Sequence, residues 1–136
     1  MSSTTTSHHS DTLQYGGILS IAQGNLAMRI ASKGSDKHGR YKWISFFGKT
    51  THLKVYNIYR PVHHTDNTSG EGIVWSQHRE VLLKNNIAID PRQHILDSLL
   101  LDIAEDQRMN RQTLILGDFN ENMFDLNSMN FSNELD

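Results

Sequence analysis

The chain of 136 residues contains no cysteine, which excludes disulfides and thiolate metal sites and removes the signal from which a redox compartment is read. Proline is nearly missing too: there are two, Pro61 and Pro91, so each marks a particular place. No apolar run approaches the roughly 20 residues of a membrane span. Residues 1–14 are rich in Ser and Thr but lack the basic and apolar regions of a signal peptide. They read as a disordered lead-in with His8 and His9 solvated. An excess of one charge is also absent, since 13 Lys and Arg stand against 15 Asp and Glu for a net charge of -2. This excludes the basic footprint of a protein that coats nucleic acid, but not an enzyme that touches a few phosphates. The length bounds the chain to one domain with a core of its own.

What is present follows a clear order. Gly16-Gly17 opens an apolar stretch at 18–22 that reads as a strand, and the alternation at 26–31 predicts a second. The polar cluster at 33–40 reads as a loop. Residues 41–47 and 52–59, dense in aromatic and β-branched side chains, predict two more strands. In the later one Leu53, Val55, Asn57 and Tyr59 share one face, and Lys54, Tyr56 and Ile58 the other. The short connections suggest antiparallel neighbours.

After Pro61 the character changes. A polar loop covers 62–72, long enough to be functional, and residues 74–83 then carry Trp75, His78, Val81 and Leu82 at helical spacing. Asp90 is a natural N-cap, Pro91 suits the first helical position, and Gln93 completes a capping-box-like pattern. The helix opened there carries Ile95, Leu96, Leu99, Leu100, Ile103 and Ala104 as one apolar stripe. Residues 113–119 return to strand, and the tail beyond 121 is polar and Asn-rich. Several strands, two helices and a buried strand predict an α/β or α+β layered domain with helices on one sheet face.

The run Leu114-Ile115-Leu116-Gly117-Asp118-Phe119-Asn120 carries the strongest chemical signal. On an extended backbone Asp118 and Asn120 point to the same side, at the mouth of a sheet, where open α/β structures place their chemistry. A carboxylate and an amide suit Mg²⁺ rather than zinc. Alternatively the carboxylate orients or deprotonates an attacking water while the amide holds a phosphate oxygen. The purely structural reading is that Asp118 caps a turn and Asn120 takes a left-handed conformation. Tyr59, on the same strand face as Asn57 and just before Pro61, offers a phenol to a phosphate or leaving oxygen, or packs at the sheet edge with its hydroxyl wet.

Taken together and in this order, Gly16-Gly17-Ile18, Asp36 with Gly39-Arg40, Tyr59-Arg60-Pro61, Trp75, Gln77 and His78, Asp90-Pro91-Arg92, and Gly117-Asp118-Phe119-Asn120-Glu121 carry a family pattern. The set resembles the endonuclease/exonuclease/phosphatase superfamily, the fold of DNase I and of exonuclease III-type repair enzymes. The Tyr-Arg-Pro and Gly-Asp-Phe-Asn-Glu variant looks most like the endonuclease-like regions beside reverse transcriptases in mobile elements. The resemblance implies a DNase I-like four-layer α/β/β/α sandwich and Mg²⁺-dependent phosphodiester hydrolysis, with nucleic acid as substrate. It implies that Asp118 orients or activates the water, that Asn120 supports it and the phosphate, and that Tyr59 contacts the phosphate or leaving group. Asn57 is implied as a further substrate-binding residue.

The departures are specific. The resemblance also implies an Asn and a metal-binding Glu before the Gly-Gly strand, and an Asp-His pair near the C-terminus. Here Asp11 is the sole carboxylate before Tyr15, and no histidine follows Asn120. His63, His64, Glu71 and Glu121 are the substitutes within reach of the motifs along the chain, with no metal ligand assigned among them. The expectation is therefore an incomplete domain over 15–125 with part of an active site and weak or absent Mg²⁺ binding, followed by a polar tail at 126–136. A catalytically inactive nucleic-acid- or protein-binding chain of the same fold, or a decayed remnant, is the alternative. No membrane role is expected.

Overall fold

The computed structural model describes residues 17–62 and 74–121. The lead-in expected at 1–14, His63, His64 and Glu71 of the polar loop, and the tail at 126–136 lie outside the described residues. Alternation produces β2 (Tyr41–Phe47) and β3 (His52–Tyr59) with the bounds the sequence predicts. β1 (Ile30–Ser35) precedes them, after a short helix α1 (Gly24–Ala27). Two longer helices follow, α2 (Val74–Lys84) and α3 (Pro91–Arg108), and then β4 (Gln112–Asp118).

The strands form a single sheet in the order β1-β2-β3-β4. β1, β2 and β3 pair antiparallel, as their short connections require, while β4 pairs parallel to β3. A parallel return needs a long crossover, and α2 with α3 supplies it. The described residues thus make an α+β fold with one four-stranded mixed sheet.

α3 begins where its signals lie. Asp90 accepts the backbone N–H groups of Arg92 and Gln93, satisfying two of the helix's orphan donors. Gln93 does not reach back to complete a box; its amide donates to Asp97 one turn on. From α3 the residues Ile95, Leu99 and Ile103, spaced by four, pack on Tyr41, Tyr56 and Ile58 of the sheet. Leu100 is only half-buried and Ala104 is exposed, so the working stripe is narrower than the sequence suggests. The other sheet face keeps Leu53, Val55, Asn57 and Tyr59 half-buried, and Leu114 and Leu116 are 44% and 51% exposed there.

Two expectations in the N-terminal part are corrected. Residues 18–22 form no strand: burial does alternate along them, but the segment makes no ladder with the described strands. It is instead held by the Asn57 amide, which donates to the Leu19 carbonyl at 3.1 Å. The second strand starts at Ile30 rather than 26 and runs into the polar cluster as far as Ser35. Gly34 makes this extension feasible. The Trp43 indole lies so close that a Cβ at position 34 would stand 2.5 Å from the ring, so a residue that reads as loop is where a strand makes room for an aromatic neighbour.

Two buried phenols link the core to pH. Tyr41 donates its hydroxyl to Asp102 at 2.9 Å and Tyr56 donates to Asp106 at 2.6 Å. Burial, reinforced by these carboxylates, pushes both phenols well above the ordinary value of about 10. In the folded chain they keep their protons where the unfolded chain loses them, so the stabilisation is present below about pH 10 and is lost as pH rises further. The urea midpoint is expected to fall between pH 8 and pH 11, with a shallower fall in Tyr56→Phe. An equal slope in that variant would contradict the assignment.

Candidate functional site

The parallel pairing of β3 and β4 joins the two motifs that stand far apart in the sequence. Tyr59 lies in register with Asp118, both at the C-terminal ends of their strands. In-register neighbours point to the same side, so Tyr59, Asp118 and Asn57 share the face that α3 leaves uncovered. Asp118 is exposed and Tyr59 half-buried. The backbone is fixed on both sides: Tyr59 N–H donates to the Arg40 carbonyl at 2.8 Å, and Arg60 N–H donates to the Asp118 carbonyl at 2.9 Å.

Gly117 sets this junction. Its φ is 149°, and a Cβ there would stand 2.0 Å from the Ile58 carbonyl oxygen, a backbone atom that cannot swing away. Gly117 is therefore required for β4 to approach β3 at the point where Asp118 leaves the sheet. Gly117→Ala is expected to destabilise the chain by at least about 2 kcal/mol through strain and overpacking. A urea midpoint unchanged from wild type would contradict this.

Beyond Asp118 the extended alternation stops. Asn120 has φ 47°, in the left-handed region, and its N–H donates back to Asp118 Oδ1 at 3.0 Å. This is an Asx turn. The Asn120 side chain does not line up beside Asp118; its amide donates to the Arg60 carbonyl at 2.6 Å. The expectation that the two side chains stand side by side is corrected for this reason. Glu121 is committed as well, because Arg60 and Arg92 both pair with its Oε1. The Arg92 guanidinium also donates to the carbonyls of Pro61 and Asn120. One buried arginine in the first turn of α3 thus ties the end of β3 to the turn after β4, a role that no sequence pattern announced.

These bonds limit what the edge offers a metal. Of the carboxylates at these strand ends, Asp118 alone is without a cation partner among the described residues. One carboxylate, with the Asn120 amide turned elsewhere, could hold Mg²⁺ only weakly, since the ion takes several oxygen ligands. Asn57 spends its amide on Leu19 and on Ser20 Oγ, at 3.1 and 3.3 Å.

On the helix side, a second cluster appears. His38 from the β1–β2 turn, His78 from α2 and His94 from α3 bring one nitrogen each within 4.8 Å of the others. His78 Nε2 and His94 Nδ1 are 3.2 Å apart, and the His38 and His78 rings stand 4.6 Å centre to centre. His78 is 2% exposed and its Nδ1 has no partner among the described residues; an unsatisfied buried polar atom costs about 1–3 kcal/mol. Burial pushes His78 down to about 3, helped by the neighbouring His38, Arg40 and His94. His38 is also lowered by burial, against the opposing pull of Asp36. His38 and His94 line a cleft of about 530 Å³.

The helical spacing of Trp75, His78, Val81 and Leu82 singles out His78 but gives no sign of its partners, because only the tertiary fold joins residues 38, 78 and 94. No helix among the described residues is long and apolar enough to cross a membrane. Compared with family models, with curated proteins and with solved structures, the chain matches none.

Proposed function

We propose that the chain forms part of a Mg²⁺-dependent phosphodiester hydrolase of nuclease type, acting on nucleic acid through the exposed ends of β3 and β4. The observation that supports this most is the in-register pairing of Tyr59 with Asp118, since the two came from separate motifs. In this reading the Asp118 carboxylate orients the attacking water and accepts its proton. The Tyr59 hydroxyl donates to a phosphate or leaving oxygen as charge develops there. Asn57, on the same face, would reach the substrate only by giving up its bonds to Leu19 and Ser20. Asn120 is a positioning residue, holding the turn that aims Asp118. The finer architecture belongs to the same proposal: a DNase I-like sandwich sets a second sheet on the face where Leu114 and Leu116 are exposed.

The test is nicking of supercoiled plasmid by the full chain, with Mg²⁺ or with EDTA. Phosphodiesters are so inert, and hydrolases so accelerating, that a site weakened about 10²- to 10³-fold by a missing phosphate-polarising group remains measurable. Slow nicking that EDTA stops is the expected result. Salt-sensitive gel shifts without any nicking would overturn the enzymatic reading in favour of a binding chain of the same fold, which the internal commitment of Asn120 and Glu121 already favours as the second reading.

A further inference from the structure

We infer that His38, His78 and His94 form a binding site for one divalent cation of the Zn²⁺ type, which clamps the β1–β2 turn and α2 onto the start of α3. The three ligands come from three separate elements, and their nitrogens lie within 4.8 Å of one another. One edge already has the right length. His78 Nε2 and His94 Nδ1 are 3.2 Å apart, and two nitrogens at the usual bond length from a tetrahedral ion stand about 3.3 Å apart. Bringing His38 into the same geometry takes an inward movement on the order of 1 Å, in a turn whose next residue is Gly39 with φ 66°.

The donor chemistry selects the ion. Three imidazoles without a carboxylate suit Zn²⁺, Cu²⁺ or Ni²⁺, not Mg²⁺ or Ca²⁺. Asp36 is not a fourth ligand, because its two oxygens accept the backbone N–H groups of His38, Arg40 and Tyr41. His38 and His94 line the cleft of about 530 Å³ while His78 lies behind them. The fourth position therefore faces solvent and takes a water or a small anion. In the ion-free state a single proton bridges His78 and His94; a cation in its place binds both nitrogens and recruits the third ring. This inference is independent of the phosphodiester site.

The experiment is titration of the chelator-stripped full chain with Zn²⁺ by calorimetry and with Co²⁺ by visible absorption. One ion per chain is expected, with the intense bands of four-coordinate Co²⁺. His38→Gln and His94→Gln should each weaken Zn²⁺ binding by at least about 100-fold, since losing even an outer-shell partner costs about 10- to 100-fold. A variant with His8, His9, His63 and His64 all changed to Gln should bind as wild type. His38 sits half-buried in a turn, so circular dichroism of His38→Gln should match wild type and separate lost binding from lost folding. Absence of binding by the wild type, wild-type affinity in His38→Gln, or loss of the ion in the fourfold variant would each overturn the assignment.

Discussion

Asp106→Ala is expected to lower stability by about 3–5 kcal/mol, the usual cost of removing one partner of a buried ion pair. Asp106 is 0% exposed. One carboxylate oxygen accepts from Lys54 Nζ at 3.1 Å and from Arg111 at 3.3 Å, and the other accepts from the Tyr56 hydroxyl at 2.6 Å. Lys54, itself 8% exposed, lies over the Trp43 ring at 4.4 Å and the Tyr56 ring at 4.9 Å. Without Asp106 its ammonium remains under α3 with only ring faces to solvate it. The arrangement also explains how a lysine can occupy the covered face of β3. Because the loss arises from the stranded partner, Lys54→Met in the same chain should restore much of it. Urea unfolding at constant m-value measures both; a loss below about 1 kcal/mol in the single variant, or no recovery in the double, would contradict this account of the core.

Asp118→Ala is expected to reduce phosphodiester cleavage by at least about 10²- to 10³-fold while leaving the fold nearly unchanged. The separation follows from geometry. Asp118 is exposed, and its side chain accepts one N–H, that of Asn120, whose loss costs about 1 kcal/mol. Asn120→Ala should behave differently. It removes the bond to the Arg60 carbonyl and leaves alanine at φ 47°, so a stability loss of about 1–2 kcal/mol accompanies any loss of rate. A rate effect in Asp118→Ala that merely tracks a fallen urea midpoint would mean that the turn is structural and carries no chemistry.

Legibility in the sequence followed periodicity. β2, β3 and both long helices were readable because local pattern and tertiary demand agree there, and the Asp90-Pro91 start of α3 is a local signal with a local cause. The segment at 18–22 misled because burial alternates along a chain that pairs with no described strand. The extension of β1 through Gly34 was hidden because its reason is the Trp43 ring on the next strand. The Lys54–Asp106 pair did leave a trace: Lys54 alternates with Tyr56 and Ile58, and Asp106 falls three residues after Ile103 on the apolar stripe. Two opposite charges on two buried faces predict each other, and that sign was in the chain. Arg92 and the histidine cluster left none, because their partners are joined only by tertiary structure. For Asp118 and Asn120 the motif gave the location but not the conformation, since strand alternation was carried one turn too far.

Whether Asp118 and Tyr59 form one chemical edge is decided by single-turnover nicking with the wild type, Asp118→Ala and Tyr59→Phe. Urea midpoints should be measured on the same preparations. Both variants are expected to lose the Mg²⁺-dependent rate while their stabilities stay within about 1 kcal/mol of wild type. Wild-type rate in Asp118→Ala at an unchanged midpoint would contradict the assignment.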